Sequence, residues 1–171
     1  LEGYEDHDVP VLFAWNQADK LIAVAVNVSC PAQEVEQRRY VNADFWHPVR
    51  ESLRARYGQQ VCVLGWIGAA GDQSPHLMYR EAAEERMRKL RGLSRLEELA
   101  RRVVNAIDDV YEVVKDHRCT DIPLVHKVEV VRLPMRLVTE EEFAEAAREI
   151  EKAAAQIQKD PKATDKLNRR M

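Results

Sequence analysis

Leu21–Ser29 reads LIAVAVNVS, a nearly continuous apolar run in a chain of 171 residues. A similar run extends from Val9 to Trp15, and five polar or turn-forming residues, 16–20, separate the two. Apolar runs of this length, bounded by turn residues, are typical of strands whose two faces are both buried. We therefore predict a β-hairpin near the start of the chain.

A helix and a third strand are predicted after the hairpin. Asp44 stands at the expected N-cap, apolar residues recur at three- and four-residue steps from Trp46 to Tyr57, and Gly58 is the expected stop. The apolar stretch Gln60–Ile67 follows. A strand, a helix and a strand in this order predict a mixed α/β sheet with a crossover helix.

The second half of the chain is dominated by helical patterns. Ser94 and Glu97 form a capping-box signature ahead of an amphipathic stripe that reaches Val114. Thr139 and Glu142 form a second such signature, and its helix extends to about residue 159. These patterns predict long amphipathic helices after the α/β part of the chain.

One long strand is predicted between these helices, over residues 124–138, where apolar and charged residues partly alternate. The charged residues 161–171 carry no stripe, and we expect a mobile tail there. We expect 1–171 to form a single domain or a piece of one. Because the chain opens without Met and closes in a charged segment, we expect a longer natural protein.

Composition excludes several classes of function. The 26 Lys and Arg against 29 Asp and Glu argue against a strongly basic nucleic-acid binder. No run approaches the roughly 20 apolar residues of a membrane-spanning helix. Cys30, Cys62 and Cys119 are odd in number and lie far apart, which does not suggest a disulfide framework or a thiolate zinc site.

The turn after the third strand carries the densest chemistry, Gly68-Ala-Ala-Gly-Asp-Gln-Ser-Pro-His76. Glycine at Gly68 and Gly71 permits sharp bends and close approach of a ligand. Ser74 is a candidate nucleophile or oxyanion donor, His76 a candidate base or metal ligand, and Asp72 a candidate orienting group. The alternative is a simple strand-to-helix turn, with Asp72 or Ser74 as N-cap and a proline in the first helical turn.

The stretch Val61–His76, VCVLGWIGAAGDQSPH, resembles the segment of neutral/alkaline non-lysosomal ceramidases in which a buried strand runs into Gly-Asp-Val-Ser-Pro. Residues 21–32, LIAVAVNVSCPA, resemble the strand that delivers the family's His-Pro-Thr segment. Asn42-Ala-Asp-Phe-Trp46 resembles its next helix start. The resemblance covers residues 9–76. The motif of this chain, GAAGDQSP, is similar to a variant that bacterial proteins carry.

The resemblance implies a zinc-dependent amidase of sphingolipid metabolism that splits the N-acyl bond of ceramide, acting outside the cytoplasm. It implies Ser74 as the active-site hydroxyl, with Asp72 beside it. Gly71, Gln73, His76 and Cys30 are then candidate substrate-binding residues.

Two departures from the family pattern bear on metal binding. Where the family has a histidine ligand before proline, this chain has Cys30 before Pro31, and Gln73 and His76 replace the usual Val and Asn. A zinc site is therefore not carried over, and the metal ligands are left unassigned. Cys30 is either a thiolate ligand or nucleophile, or an ordinary buried cysteine.

The acidic stretch Tyr4–Asp8 is a further candidate for a divalent metal, with a flexible leader as the alternative. Two functions therefore stay open. The first is a ceramidase-like hydrolase acting on a small-molecule or lipid substrate. The second is a noncatalytic binding or assembly module, whose amphipathic helices could form a homo-oligomer.

Overall fold

The computed structural model describes residues 6–159. The chain divides into two compact units, 1–122 and 123–171, and each is considered by itself. The predicted tail 161–171 lies outside the described residues. Across the described range the structure has a small mixed three-stranded sheet and four helices, as the α/β pattern followed by helices predicts.

The first unit begins with the predicted hairpin. Strand β1 covers Val11–Trp15 and strand β2 covers Leu21–Val28, and the two pair antiparallel. Asn16 closes the turn, because its backbone N–H donates to the Lys20 carbonyl at 2.9 Å and its side-chain oxygen accepts from the Lys20 N–H at 3.0 Å. The polar break in the sequence thus forms the turn.

The predicted crossover is present. Helix α1 covers Trp46–Tyr57 and leads to strand β3, Cys62–Ile67, which pairs parallel with β2. Since β1 runs antiparallel to β2, its amino end lies at the same edge of the sheet as the carboxyl ends of β2 and β3. The segments that precede β1 and follow β2 and β3 therefore leave the sheet at one edge.

The predicted N-cap of α1 is displaced by one residue. Phe45 occupies the cap position without a side-chain hydrogen bond, and Asp44 adopts a left-handed backbone with φ of 52°. The buried Asp44 carboxylate instead accepts hydrogen bonds from the backbone N–H of Phe45 at 2.8 Å and of Val35 at 2.9 Å. Asp44 therefore anchors the loop between β2 and α1.

Helices α2, Glu81–Leu90, and α3, Arg95–Val114, complete the first unit. Both halves of the capping box predicted for α3 are present. Glu98 on α3 is buried. Hydrogen bonds from Arg101 and Arg102 and the positive charge of Arg91 lower the pKa of its carboxyl to about 2. Glu98 is thus ionised at neutral pH and fully paired with arginines.

The core lies between one face of the sheet and helices α1 and α3. Its buried apolar residues come from all three strands, from α1 and from α3: Phe13, Leu21, Val24, Val26, Phe45, Trp46, Val49, Leu53, Val61, Val63, Ala100, Val104 and Ile107. The two helices also meet through Tyr57, whose hydroxyl donates to Asp108 at 2.6 Å.

The prediction that both faces of the strands are buried holds in the middle of β2, where residues 24–26 are all buried, and is wrong for β1 and β3. Leu12, Leu64 and Trp66 are 60%, 45% and 51% exposed, and they alternate with core residues along β1 and β3. The apolar runs correctly located the strands. They did not reveal that α1 and α3 both pack on the same face.

The second unit contains helix α4, Glu140–Lys159, preceded by Thr139 in the predicted capping arrangement. The long strand predicted over 124–138 is absent from this part of the chain as described. Every large apolar side chain in that segment is exposed. A strand needs a partner for its backbone N–H and C=O groups. Side-chain alternation by itself was therefore not enough to predict a strand.

No helix within residues 6–159 is long and apolar enough to cross a membrane.

Gly65→Ala should destabilise the first unit, since a Cβ at this position would lie 2.6 Å from the Trp46 indole. Overpacking of this kind costs about 1–3 kcal/mol. The free energy of unfolding, measured by urea denaturation, checks it. Gly71→Ala is the matched control, because its added Cβ meets nothing within 4 Å. Equal losses in the two variants would contradict the packing of α1 on β3.

Candidate functional site

Three chain segments meet at the shared edge of the sheet. The Gly68 N–H donates to the Val28 carbonyl at 3.1 Å, and the Ser29 hydroxyl donates to the Asp6 carboxylate at 3.0 Å. A Cβ at Gly68 would lie 2.6 Å from Ser29 Oγ, so any larger residue here would displace the Ser29 side chain. Asp6, from the acidic N-terminal stretch, thereby reaches the edge where the Gly-rich turn begins.

The Gly-rich turn is not a helix start. Helix α2 begins only at Glu81, after Arg80 in a left-handed conformation with φ of 54°. Asp72 and Ser74 therefore cap no helix, and the simple strand-to-helix alternative is wrong. Residues 68–80 instead form an irregular loop after β3.

Ser74 and His76 contact each other within this loop. Ser74 Oγ lies 3.1 Å from His76 Nδ1 and accepts a hydrogen bond from the His76 backbone N–H at 3.2 Å. Because the backbone N–H occupies a lone pair of the hydroxyl, the Ser74 proton is free to point at Nδ1. The arrangement suits a histidine that takes a proton from a serine hydroxyl.

Glu36 lies on the far side of the imidazole. Its Oε1 is 4.0 Å from His76 Nε2, and both side chains are partly exposed. A carboxylate on this side of the ring favours the tautomer with a proton on the nitrogen that faces it, Nε2. Ser74, His76 and Glu36 thus form a serine–histidine–carboxylate row.

Arg95 joins the two loops that carry this row. Its Nε donates to Glu34 at 3.1 Å and its Nη2 donates to the Pro75 carbonyl at 2.5 Å. The Arg95 and Glu34 side chains are only 19% and 13% exposed. A largely buried guanidinium on α3 therefore fixes the loop of Glu34 and Glu36 against the loop of Ser74 and His76.

Glu36 and Arg95 escaped the sequence reasoning. Glu36 belongs to a polar loop that follows a buried strand. Ligands of α/β sheets tend to bind near such strand ends, and this position could have marked Glu36 as a candidate site residue. Arg95 carried no signal of this kind, because it follows a capping serine among many other arginines of the helical region.

Asp72 does not join the row in the described structure. Among residues 6–159 its side chain contacts Gln73, whose side-chain amide donates to Asp72 Oδ1 at 3.4 Å. Gly71 and Asp72 are exposed. The carboxylate that lies near His76 is that of Glu36.

Cys30 does not fit the role of a thiolate. Its Sγ donates to the Pro31 carbonyl at 3.7 Å. Burial raises the pKa of the Cys30 thiol, and the carboxylates of Asp44 and Glu34 raise it further. At neutral pH the thiol is therefore protonated, which favours an ordinary half-buried cysteine over a nucleophile or metal ligand.

A small cavity of about 290 Å³ adjoins the row and is lined by Glu34, Val35, Gln37, Arg38 and His76. Ser74 does not line this cavity, but it contacts His76, which does. A larger cavity of about 510 Å³ runs along β1 and residues 114–122, and it contains none of the predicted site residues. We assign the site to the smaller cavity, because only this one contains a group of the row.

The described residues do not fit the zinc that the family resemblance implies. Between residues 6 and 159, no three His, Cys, Asp or Glu side chains gather in a way that could hold a metal ion.

Comparison with protein-family models, curated proteins and solved structures finds no match to this chain.

Arg95→Ala should loosen both loops of the site, because it removes two hydrogen bonds and leaves Glu34 buried without its cation. Loss of charge-assisted hydrogen bonds costs about 1.5–3 kcal/mol. Amide hydrogen exchange by mass spectrometry should show faster exchange in residues 31–44 and 69–79. Arg86→Ala, at an exposed position on α2, is the matched control and should leave both loops unchanged. Unchanged exchange in Arg95→Ala would refute the coupling.

Proposed function

We propose that the chain is a ceramidase-like hydrolase domain that cleaves an N-acyl (amide) bond, with Ser74 as nucleophile and His76 as its general base. The observation that carries the proposal is the 3.1 Å contact between Ser74 Oγ and His76 Nδ1, with Glu36 on the opposite nitrogen. The resemblance of residues 61–76 to the ceramidase motif supports an amide as the bond that is cleaved.

The side chains are suited to a two-step hydrolysis. His76 Nδ1 takes the Ser74 proton while Oγ bonds to the carbonyl carbon of the amide. The C–N bond then breaks, and the proton passes from Nδ1 to the departing amine nitrogen. Water next attacks the acyl–serine ester, gives its proton to Nδ1, and releases the carboxylic acid, after which Ser74 regains its proton.

Glu36 contributes by orientation. A proton held on Nε2 by Glu36 leaves Nδ1 with the lone pair that the reaction requires. Arg95 acts one step farther away, as a positioning residue that keeps Glu36 and Ser74 on adjacent loops. The row therefore combines a local pair, Ser74 and His76, with a carboxylate brought from another part of the chain.

The noncatalytic assembly module is the second candidate. The observation that favours it is the exposed apolar face of the sheet, formed by Leu12, Ile22, Leu64 and Trp66. Apolar patches of this kind commonly mark interaction surfaces. In that case the loop 68–80 would have only a structural role, and the amphipathic helices could contribute to a homo-oligomer.

Ser74→Ala should reduce hydrolysis of a fluorogenic short-chain N-acyl amide by more than about 100-fold, because it removes the nucleophile and leaves His76 with no hydroxyl to deprotonate. The rate constant kcat/KM checks it, with circular dichroism as the test of folding. Ser52→Ala, on α1, is the matched control and should retain full turnover. Equal turnover by the Ser74 variant and the parent protein would favour the assembly module.

A further inference from the structure

The cavity beside His76 is small and polar. Its volume is about 290 Å³, and four of its five lining residues carry charged or polar side chains, namely Glu34, Gln37, Arg38 and His76. Sites for drug-sized ligands are typically about 300–1,000 Å³ and mostly apolar. This cavity is therefore better suited to a short polar group than to a long acyl chain.

The charged side chains of the cavity differ in whether a ligand can reach them. Glu34 is engaged by Arg95 through Oε1, and its Oε2 is shut off from solvent, so a ligand does not reach it. The Arg38 side chain is exposed and, within residues 6–159, makes no hydrogen bond or ion pair. Arg38 is thus the cation of this cavity that can receive a new partner.

We propose that Arg38 binds a carboxylate of the substrate, and that the substrates are carboxylate-bearing amides such as N-acyl amino acids. The planar guanidinium matches a carboxylate in a two-point hydrogen-bonded pair. In an N-acyl amino acid the carboxylate carbon lies only two bonds from the amide nitrogen. His76 contacts Ser74 and also lines the cavity of Arg38, which places this cavity beside the Ser74–His76 pair. The inference rests on the proposed hydrolase function.

Binding of two substrate-sized probes, titrated into Ser74→Ala chains so that neither probe is hydrolysed, tests the proposal without relying on turnover. N-acetylglycine carries the carboxylate, and N-acetylglycinamide is its neutral counterpart of nearly equal size. Calorimetric titration of the full chain should show about a two- to fivefold preference for N-acetylglycine, since an ion pair with an exposed arginine contributes about 0.5–1 kcal/mol. Arg38→Gln should abolish the preference.

Arg39→Gln is the matched control, because it removes an equal charge from the adjacent residue, which does not line the cavity. This variant should keep the preference for N-acetylglycine. Equal binding of the two probes by the Ser74→Ala chain, no binding of either, or an equal loss in both variants would overturn the proposal.

Turnover distinguishes failure of this inference from failure of the proposed function. A preference that depends on Arg38 in a protein that hydrolyses no amide supports carboxylate binding and refutes the hydrolase. Hydrolysis that requires Ser74 but is indifferent to the carboxylate and to Arg38 refutes the specificity alone.

Discussion

The guanidinium of Arg95 constrains the relation between the two loops that form the candidate site. It reaches Glu34, 61 positions earlier in the chain, and the Pro75 carbonyl, 20 positions earlier. Each loop leaves the carboxyl end of a parallel strand, which places both loops at one edge of the sheet. The strands thus bring the loops near each other, and Arg95 sets the spacing at which Glu36 faces His76.

Much of the fold was predictable because its signals are local. The hairpin, the crossover helix and the two capping boxes each depend on residues within a few positions of one another. The exposure of Leu64 and Trp66 was not predictable in this way, since it depends on which face of the sheet receives α1 and α3. Residues 124–138 show the same limit, because their alternation specifies no partner strand.

The same distinction between local signals and contacts of distant segments applies to the candidate site. The contact between Ser74 and His76 could be anticipated from sequence because the two residues are two positions apart in a Gly-rich turn after a strand. Glu36 and Arg95 were missed because each meets the turn only through the folding of distant segments. Asp72 is close to His76 in sequence, yet its side chain contacts Gln73, since proximity in sequence does not ensure that a carboxylate turns toward a histidine.

Covalent labelling with a fluorophosphonate, followed by peptide mapping, most directly tests whether Ser74 is an activated nucleophile. A hydroxyl that gives its proton to His76 should form one adduct, located on Ser74, and labelling should slow strongly in His76→Ala. The adduct should be missing from Ser74→Ala. No adduct, or equal labelling of other serines such as Ser52, would contradict the assignment of Ser74 as the nucleophile.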